Sequence, residues 1–195
     1  MRRQRDDLKA DCRAAVLAEV ASTGLAGLTV EGIARRASAA KTSIYRHWAT
    51  AEELLLDALS EAYPIETPAV EGGNLRGDLL QSLDQLAAWL RGPTAPVVAA
   101  ILAERRRRPD LVEALYRTVF EPNGQRFTQT VIEHYAARGE IDATYLTPIV
   151  CDIGEALVIK HQIDTGEVPD QRIRAAIVDQ AILPALGCPD YAGEI

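Results

Sequence analysis

Residues 28–59 read LTVEGIARRASAAKTSIYRHWATAEELLLDAL. Thr29 stands just before a run with apolar residues at Val30, Ile33, Ala34 and Ala37. A threonine there is a helix N-cap, because its hydroxyl accepts an otherwise orphaned backbone N–H. The run breaks at Ser38-Ala39-Ala40. KTSIYRHW then predicts a second helix over 41–48, with Ile44 and Trp48, four apart, on one side and Lys41, Thr42, Ser43, Arg46 and His47 on the others. Thr50 and Glu53 have the spacing of a capping box. Leu54, Leu55, Ala58 and Leu59 give the next helix its apolar face, and Pro64 ends it.

Outward from this stretch, nearly everything reads as helix. Leu8, Cys12, Val16 and Val20 form one stripe over residues 7–22, closed by Gly24. Residues 63–73, YPIETPAVEGG, are a Pro- and Gly-rich connection. They set the expected domain boundary, with residues 1–62 before it and 74–195 after it. Asn74 caps a helix with leucines at 75, 79, 83, 86 and 90, which Gly92-Pro93 stops. Further helices are expected over 95–107, 110–138 (bent or interrupted at Pro122 and Gly124), 144–165 and 170–186. No β alternation or internal repeat occurs, so the fold class is all-α.

Composition narrows the function. The chain has 195 residues, 48% hydrophobic and 25% charged, with net charge −7; that is too apolar for a disordered protein. No stretch has the ~18 uninterrupted apolar residues of a membrane span. The start is basic and then acidic with no apolar run behind it, so no secretory signal is read there. Cys12, Cys151 and Cys188 lie far apart, which suits neither a disulfide framework nor a CxxC zinc site. A reducing cytoplasm is the expected location. Residues 1–62 hold nine Lys/Arg and nine Asp/Glu, so the whole negative charge lies further on. From Arg35 to Trp48 there are four cations and no acid. Such a stripe can bind phosphate inside an acidic protein, since charges are screened beyond about 10 Å.

Helix, short turn, helix within 29–48 is the spacing of a helix-turn-helix, whose second helix enters the DNA major groove. At these residues the sequence resembles the tetracycline-repressor (TetR) family of bacterial transcription regulators. The likeness is a Thr-capped helix, a short turn, Lys-x-x-Ile-Tyr-x-His-Trp and a Leu-rich helix. RRRPDLVEAL and DTGEVPD, further on, look similar to C-terminal domains of one branch.

The resemblance implies a DNA-binding set of Thr29, Lys41, Thr42, Ser43, Tyr45, Arg46, His47 and Thr50. Lys41, Thr42 and Ser43 would face bases or phosphates. Tyr45 and His47 would hold phosphates and fix the docking angle. Arg2, Arg3 and Arg5 would form a flexible arm. Three positions depart from the family pattern: Ser38 replaces the turn glycine, Ala40 the helix-capping polar residue, and Ala51 a lysine. Alternatives stay open for Tyr45 as a core tyrosine and His47 as an idle surface residue. Arg35 and Arg36 read as a solvated face. Arg105–Arg108 read as a solvated helix end suited to the helix dipole, or as a second anion site.

The resemblance further implies a C-terminal domain that dimerises and holds a small-molecule effector. The last two helices would supply the dimer surface, through Ile149, Ile153, Ala156, Leu157, Ile177, Ala181 and Ile182, with packing into their own core as the alternative. Trp89, Tyr116, Phe120, Phe127, His134 and His161 are the candidate pocket, with plain core packing as the alternative. The partners implied are an operator in double-stranded DNA, a second copy of the chain and an effector; no membrane is implied. No catalytic motif, metal-ligand spacing or cofactor motif is present, so an enzyme is not expected. A ligand-responsive repressor is the leading reading. The rivals are a DNA-binding regulator without effector and, behind it, a helical enzyme or adaptor.

Overall fold

The computed structural model describes residues 2–63, 74–123 and 127–188. The expected connection at 63–73 lies outside these from residue 64 on, as does Gly124. Every element is helical. Besides short 3-10 turns at Leu25–Gly27 and Ala143–Tyr145, they are in chain order α1 (Arg2–Thr23), α2 (Val30–Arg36), α3 (Lys41–Tyr45), α4 (Ala51–Ala62), α5 (Leu75–Leu90) and α6 (Ala95–Ala103). Then come α7 (Pro109–Leu115), α8 (Glu121–Asn123), α9 (Gln129–Ala137), α10 (Pro148–Thr165), α11 (Gln171–Ile177) and α12 (Leu183–Ala185). The backbone is already helical at Arg2, so the expected flexible arm is instead the first turn of α1.

The chain divides into two compact units, Met1–Tyr63 with Gly92–Asn123 and Pro64–Arg91 with Gly124–Ile195. This differs from the division read in the sequence, because α6 to α8 group with α1 to α4. The reason is apolar: Val97, Val98, Ile101, Leu111, Leu115 and Val119 are all buried, and α6 and α7 pack against α1 and α4. In the same unit the stripe Cys12, Val16 and Val20 is buried where α1 meets α2 and α4. Arg108 Nη1 bonds Glu52 Oε1 at 3.0 Å and so ties the start of α7 to α4. Since α6 ends at Ala103, Arg105–Arg107 lie in a turn and not in the expected helix end.

In the second unit Leu79, Leu83 and Leu86 of α5 meet Val131, Ile132 and Tyr135 of α9, Val158 of α10, and Val178, Ile182 and Leu183. Asn74 Oδ1 caps α5 by accepting the Gly77 N–H at 2.7 Å. The helix expected over 144–165 starts at Pro148, where Thr147 caps it. Gly154 lets α10 close in: a Cβ there would stand 2.8 Å from Thr128 Cγ2 and 3.0 Å from Ile182 Cδ1. Arg76 grips Asp179 through Nε at 2.7 Å and Nη2 at 2.8 Å, tying α5 to the last helical run.

Two expected long helices contain a widened π-helical turn, at Tyr116–Phe120 and at Val178–Ile182. Pro122 and Pro184 follow them. A proline cannot donate to the carbonyl four residues back and its ring clashes with that carbonyl. Those carbonyls belong to Thr118 and Gln180, the middle residues of the two π turns. The extra width accommodates each proline without ending the helical run.

Ser38 has φ of 50°, the one non-glycine residue with positive φ among those described. It closes α2 in a Schellman motif: Ala39 N–H donates to Ala34 O at 2.9 Å and Ser38 N–H to Arg35 O at 3.4 Å. The left-handed conformation is costly for any residue with a Cβ. Ser38→Gly is therefore expected to raise stability by about 0.5–1 kcal/mol, read as a higher urea midpoint at unchanged slope.

Tyr135 is buried and its hydroxyl donates to Asp78 Oδ2 at 2.7 Å. Burial first, and the Asp78 contact second, push the phenol up to about 12. The protonated form is thus favoured by folding. Its contribution is complete below the ordinary phenol value of about 10 and is lost as pH rises through about 12. Tyr135→Phe is expected to flatten this alkaline fall in a stability–pH curve.

Candidate nucleic-acid interface

Thr29 caps α2 as its position suggests, accepting the Gly32 N–H at 3.1 Å. Gly32 lies directly on Glu19 of α1: a Cβ would come within 1.9 Å of Glu19 Oε1 and 2.6 Å of its Cδ. Glu19 is only 3% exposed, and Arg36 Nε meets its Oε2 at 2.5 Å. Arg36 also donates to the Ser22 hydroxyl. Arg36 is therefore no idle surface cation; it compensates a buried carboxylate that would otherwise be strongly destabilising. Arg35 is exposed, as expected.

The second helix is shorter than its apolar spacing implies. α3 ends at Tyr45, and Arg46–His47 form a turn in which the His47 and Trp48 N–H groups share the Ile44 carbonyl, at 2.9 and 3.0 Å. Its N-cap is Ala40, with no side-chain cap. A five-residue helix has no stability of its own. Its anchors are Ile44 and Trp48, both buried. The Trp48 indole N–H donates to Asp57 Oδ2 at 3.0 Å. The same carboxylate receives Arg13 of α1, through Nε at 2.8 Å and Nη2 at 3.3 Å. Next to it α4 begins with Thr50 Oγ1 accepting the Glu53 N–H at 3.0 Å. Glu53 Oε2 returns to the Ala49 N–H at 2.6 Å, one residue before the position a capping box ordinarily uses.

These anchors leave one side of the motif facing outward. Lys41, Thr42, Tyr45 and Arg46 are exposed, as are Thr29 and Thr50, while Ser43 and His47 are half-buried. Tyr45 is 53% exposed, so it is not a core tyrosine. His47 stands edge-on to Trp48 at 5.4 Å, and shares with Thr50, Lys9 and Arg117 an open groove of about 560 Å³. Lys41 Nζ lies 2.5 Å from Glu31 Oε1 of α2. The bond raises the ammonium and lowers the carboxyl from their ordinary values, so both stay charged at neutral pH. Glu31, Glu19 and Asp57 were not singled out in the sequence. Their partners lie 10, 17 and, for Asp57 with Arg13, 44 residues away, beyond any local spacing rule.

The other candidates are distributed. Tyr116 and Phe120 belong to the first unit, ring to ring at 5.0 Å. Tyr116 is 43% exposed, with the Arg105 guanidinium 5.7 Å from its ring centre. Trp89, Phe127, His134 and His161 belong to the second unit. There Phe127 is core and Trp89 packs against the core. His134 and His161 are half-buried. His134 Nε2 is buried with no hydrogen-bond partner among the described residues.

Of the expected dimer surface, Ile177 and Ile182 turn into their own core. The π turn at 178–182 stacks residues five apart and brings 177 over 182. Ile153 and Ala181 are half-buried. On α10, by contrast, Ile149 (79%), Ile163 (74%), Ala156, Leu157 and Ile159 are exposed. Ile159 and Ile163 lie on the continuation of the stripe begun at Ile149. Among the described residues no group of three or more His, Cys, Asp or Glu is placed to hold a metal ion, and no single helix is long and apolar enough to cross a membrane.

Residues 14–58 match the family model for bacterial regulatory proteins of the tetR family, and residues 69–181 that for the tetracyclin repressor-like C-terminal domain. An HTH-type transcriptional regulator of Mycobacterium tuberculosis is 32% identical over 159 residues, 82% of this chain and 78% of the relative. A protein of Mycobacteroides abscessus named as the DNA-binding transcriptional repressor TetR is 24% identical over 158 residues, 80% of this chain and 81% of that one. A TetR family transcription regulator of known structure shares the fold, with TM-score 0.62 and 21% identity over 90% of this chain and 97% of that one. The chain belongs to the TetR family of helix-turn-helix, DNA-binding transcriptional regulators, a non-enzymatic class.

Proposed function

We propose that this regulator is a ligand-responsive repressor that binds a palindromic operator as a homodimer. The observation that carries the DNA contact is the outward side of α3. Lys41, Thr42 and Tyr45 are exposed there and Arg46 in the turn just after, while Ile44 and Trp48 are locked inside. Thr29, Ser43, His47 and Thr50 complete the contacting set. In this reading Lys41, Thr42 and Ser43 meet base edges, and Tyr45, His47 and the two capping threonines meet phosphates. Arg46 serves either. The relative named as a transcriptional repressor supports the direction of control.

The exposed apolar stripe of α10 supports dimerisation. Ile149, Ile159 and Ile163 cost less in contact with a second copy than in water. Two recognition helices about 34 Å apart would then read one half-site each. An effector acts by preferring the form whose helices are wrongly spaced for DNA. Among the pocket candidates, the buried and unbonded Nε2 of His134 is a polar group that a bound ligand would satisfy. Operator release on titration with candidate effectors tests this part, and loss of release in His134→Leu would place the ligand.

Two outcomes test the rest. In selection from random duplexes, Tyr45→Phe is expected to weaken all sites about evenly. Lys41→Ala is expected to change which sequences win, by about 1–3 kcal/mol per lost base contact. Ile163→Asp is expected to turn the dimer into a monomer in sedimentation velocity, and to weaken binding to a palindrome far more than to a single half-site.

A further inference from the structure

Glu31 is out of place on a surface that meets phosphate. It lies in the first turn of α2, two residues after Thr29, and its side chain is 59% exposed. A carboxylate there repels the DNA backbone on every sequence. The helix dipole favours an acid in this first turn, but an exposed ion pair with Lys41 adds little to folding, so stability does not account for the contact between the two. What the pair does is fix two heads side by side: an acceptor-only carboxylate and a donor-only ammonium 2.5 Å apart, on the helix that opens with Thr29 and on the helix that carries Thr42.

The major groove offers a matching pattern. Its donors are the exocyclic amines of cytosine and adenine, and carboxylates accept from cytosine N4. Lysine donates to guanine O6 and N7. In one C·G pair the cytosine amine and guanine O6 are neighbours on the same edge, so the couplet can exchange its internal bond for two bonds to the pair. On a pair that lacks this pattern, the couplet stays closed and the carboxylate keeps its repulsion.

We propose that Glu31 is a specificity-determining residue of the DNA interface: placed beside Lys41, its carboxylate leaves the ammonium to accept from a cytosine amine while Lys41 donates to the paired guanine. The inference rests on the outward side of α2 and α3 being the DNA-reading face.

The test is selection from random duplexes with the full chain, wild type beside Glu31→Gln. Titrations on the winning site, with each base pair changed in turn, follow. Wild type is expected to show one C·G pair per half-site whose replacement costs about tenfold or more in affinity. Lys41→Ala should relax the same pair. Glu31→Gln should relax it or shift it towards A·T, because an amide pairs with adenine N6 and N7. Thermal unfolding of the exposed Glu31→Gln variant should stay close to wild type, since only the helix-dipole and surface-pair contributions are lost. The proposal is overturned if Glu31→Gln selects the same ranked sequences as wild type, whether it binds them equally or uniformly tighter. A wild type that selects no sequence at all overturns the DNA-reading face together with it.

Discussion

The Asp57 carboxylate holds the DNA-reading motif together. One oxygen accepts from the Trp48 indole and from Arg13 Nε, and the other from Arg13 Nη2. Three parts of the chain meet at that one group: α1, the end of the recognition segment, and α4, which carries Asp57. Since α3 is only five residues long, its direction comes from these attachments and not from its own hydrogen bonds. The partners also balance: a cation and an indole donor satisfy an acid that is half-buried. The outward residues can be presented rigidly because Ile44 and Trp48 are fixed from behind.

The parts of this arrangement legible in the sequence are those governed by local chemistry. Thr29, Thr50 and Asn74 cap helices because a side chain reaches a backbone N–H three residues on, and that spacing is written in the chain. Ser38 stands out only against the family pattern, which has a glycine at that turn; its positive φ bears that out. The end of α3 was not legible, because Trp48 continues the apolar spacing after the helical hydrogen bonds have stopped. The grouping of Gly92–Asn123 with the first unit was hidden too: leucines and valines state that they are buried, not against what. Ile177 shows the same limit, since apolar spacing alone does not separate a core face from a dimer face.

Charge follows a similar division between average and place. A chain of net charge −7 presents Lys41 on α3 and Arg46 in the turn after it, both exposed, and many of its acids are already engaged. Glu19 is buried under Arg36, Asp57 and Glu61 face Arg13, and Glu52 faces Arg108. The field that a phosphate meets is therefore set by which carboxylates are neutralised locally, and a sum over the chain says little about it. In the second unit acids are spent in the same way, Asp179 on Arg76 and Asp84 on Arg174.

The two prolines that follow widened turns leave a lasting mark on geometry. Each helical residue advances the side chain by about 100° around the axis, so a turn that takes in one extra residue rotates everything after it by that much. Leu183 and Leu186, both buried, owe their inward aim to this slip. Exchanging Pro184 for alanine would permit an ordinary helix but would not call for one. Straightening the segment would swing those two leucines round towards solvent, so the wide turn is held as much by what lies beyond it as by the ring that first required it.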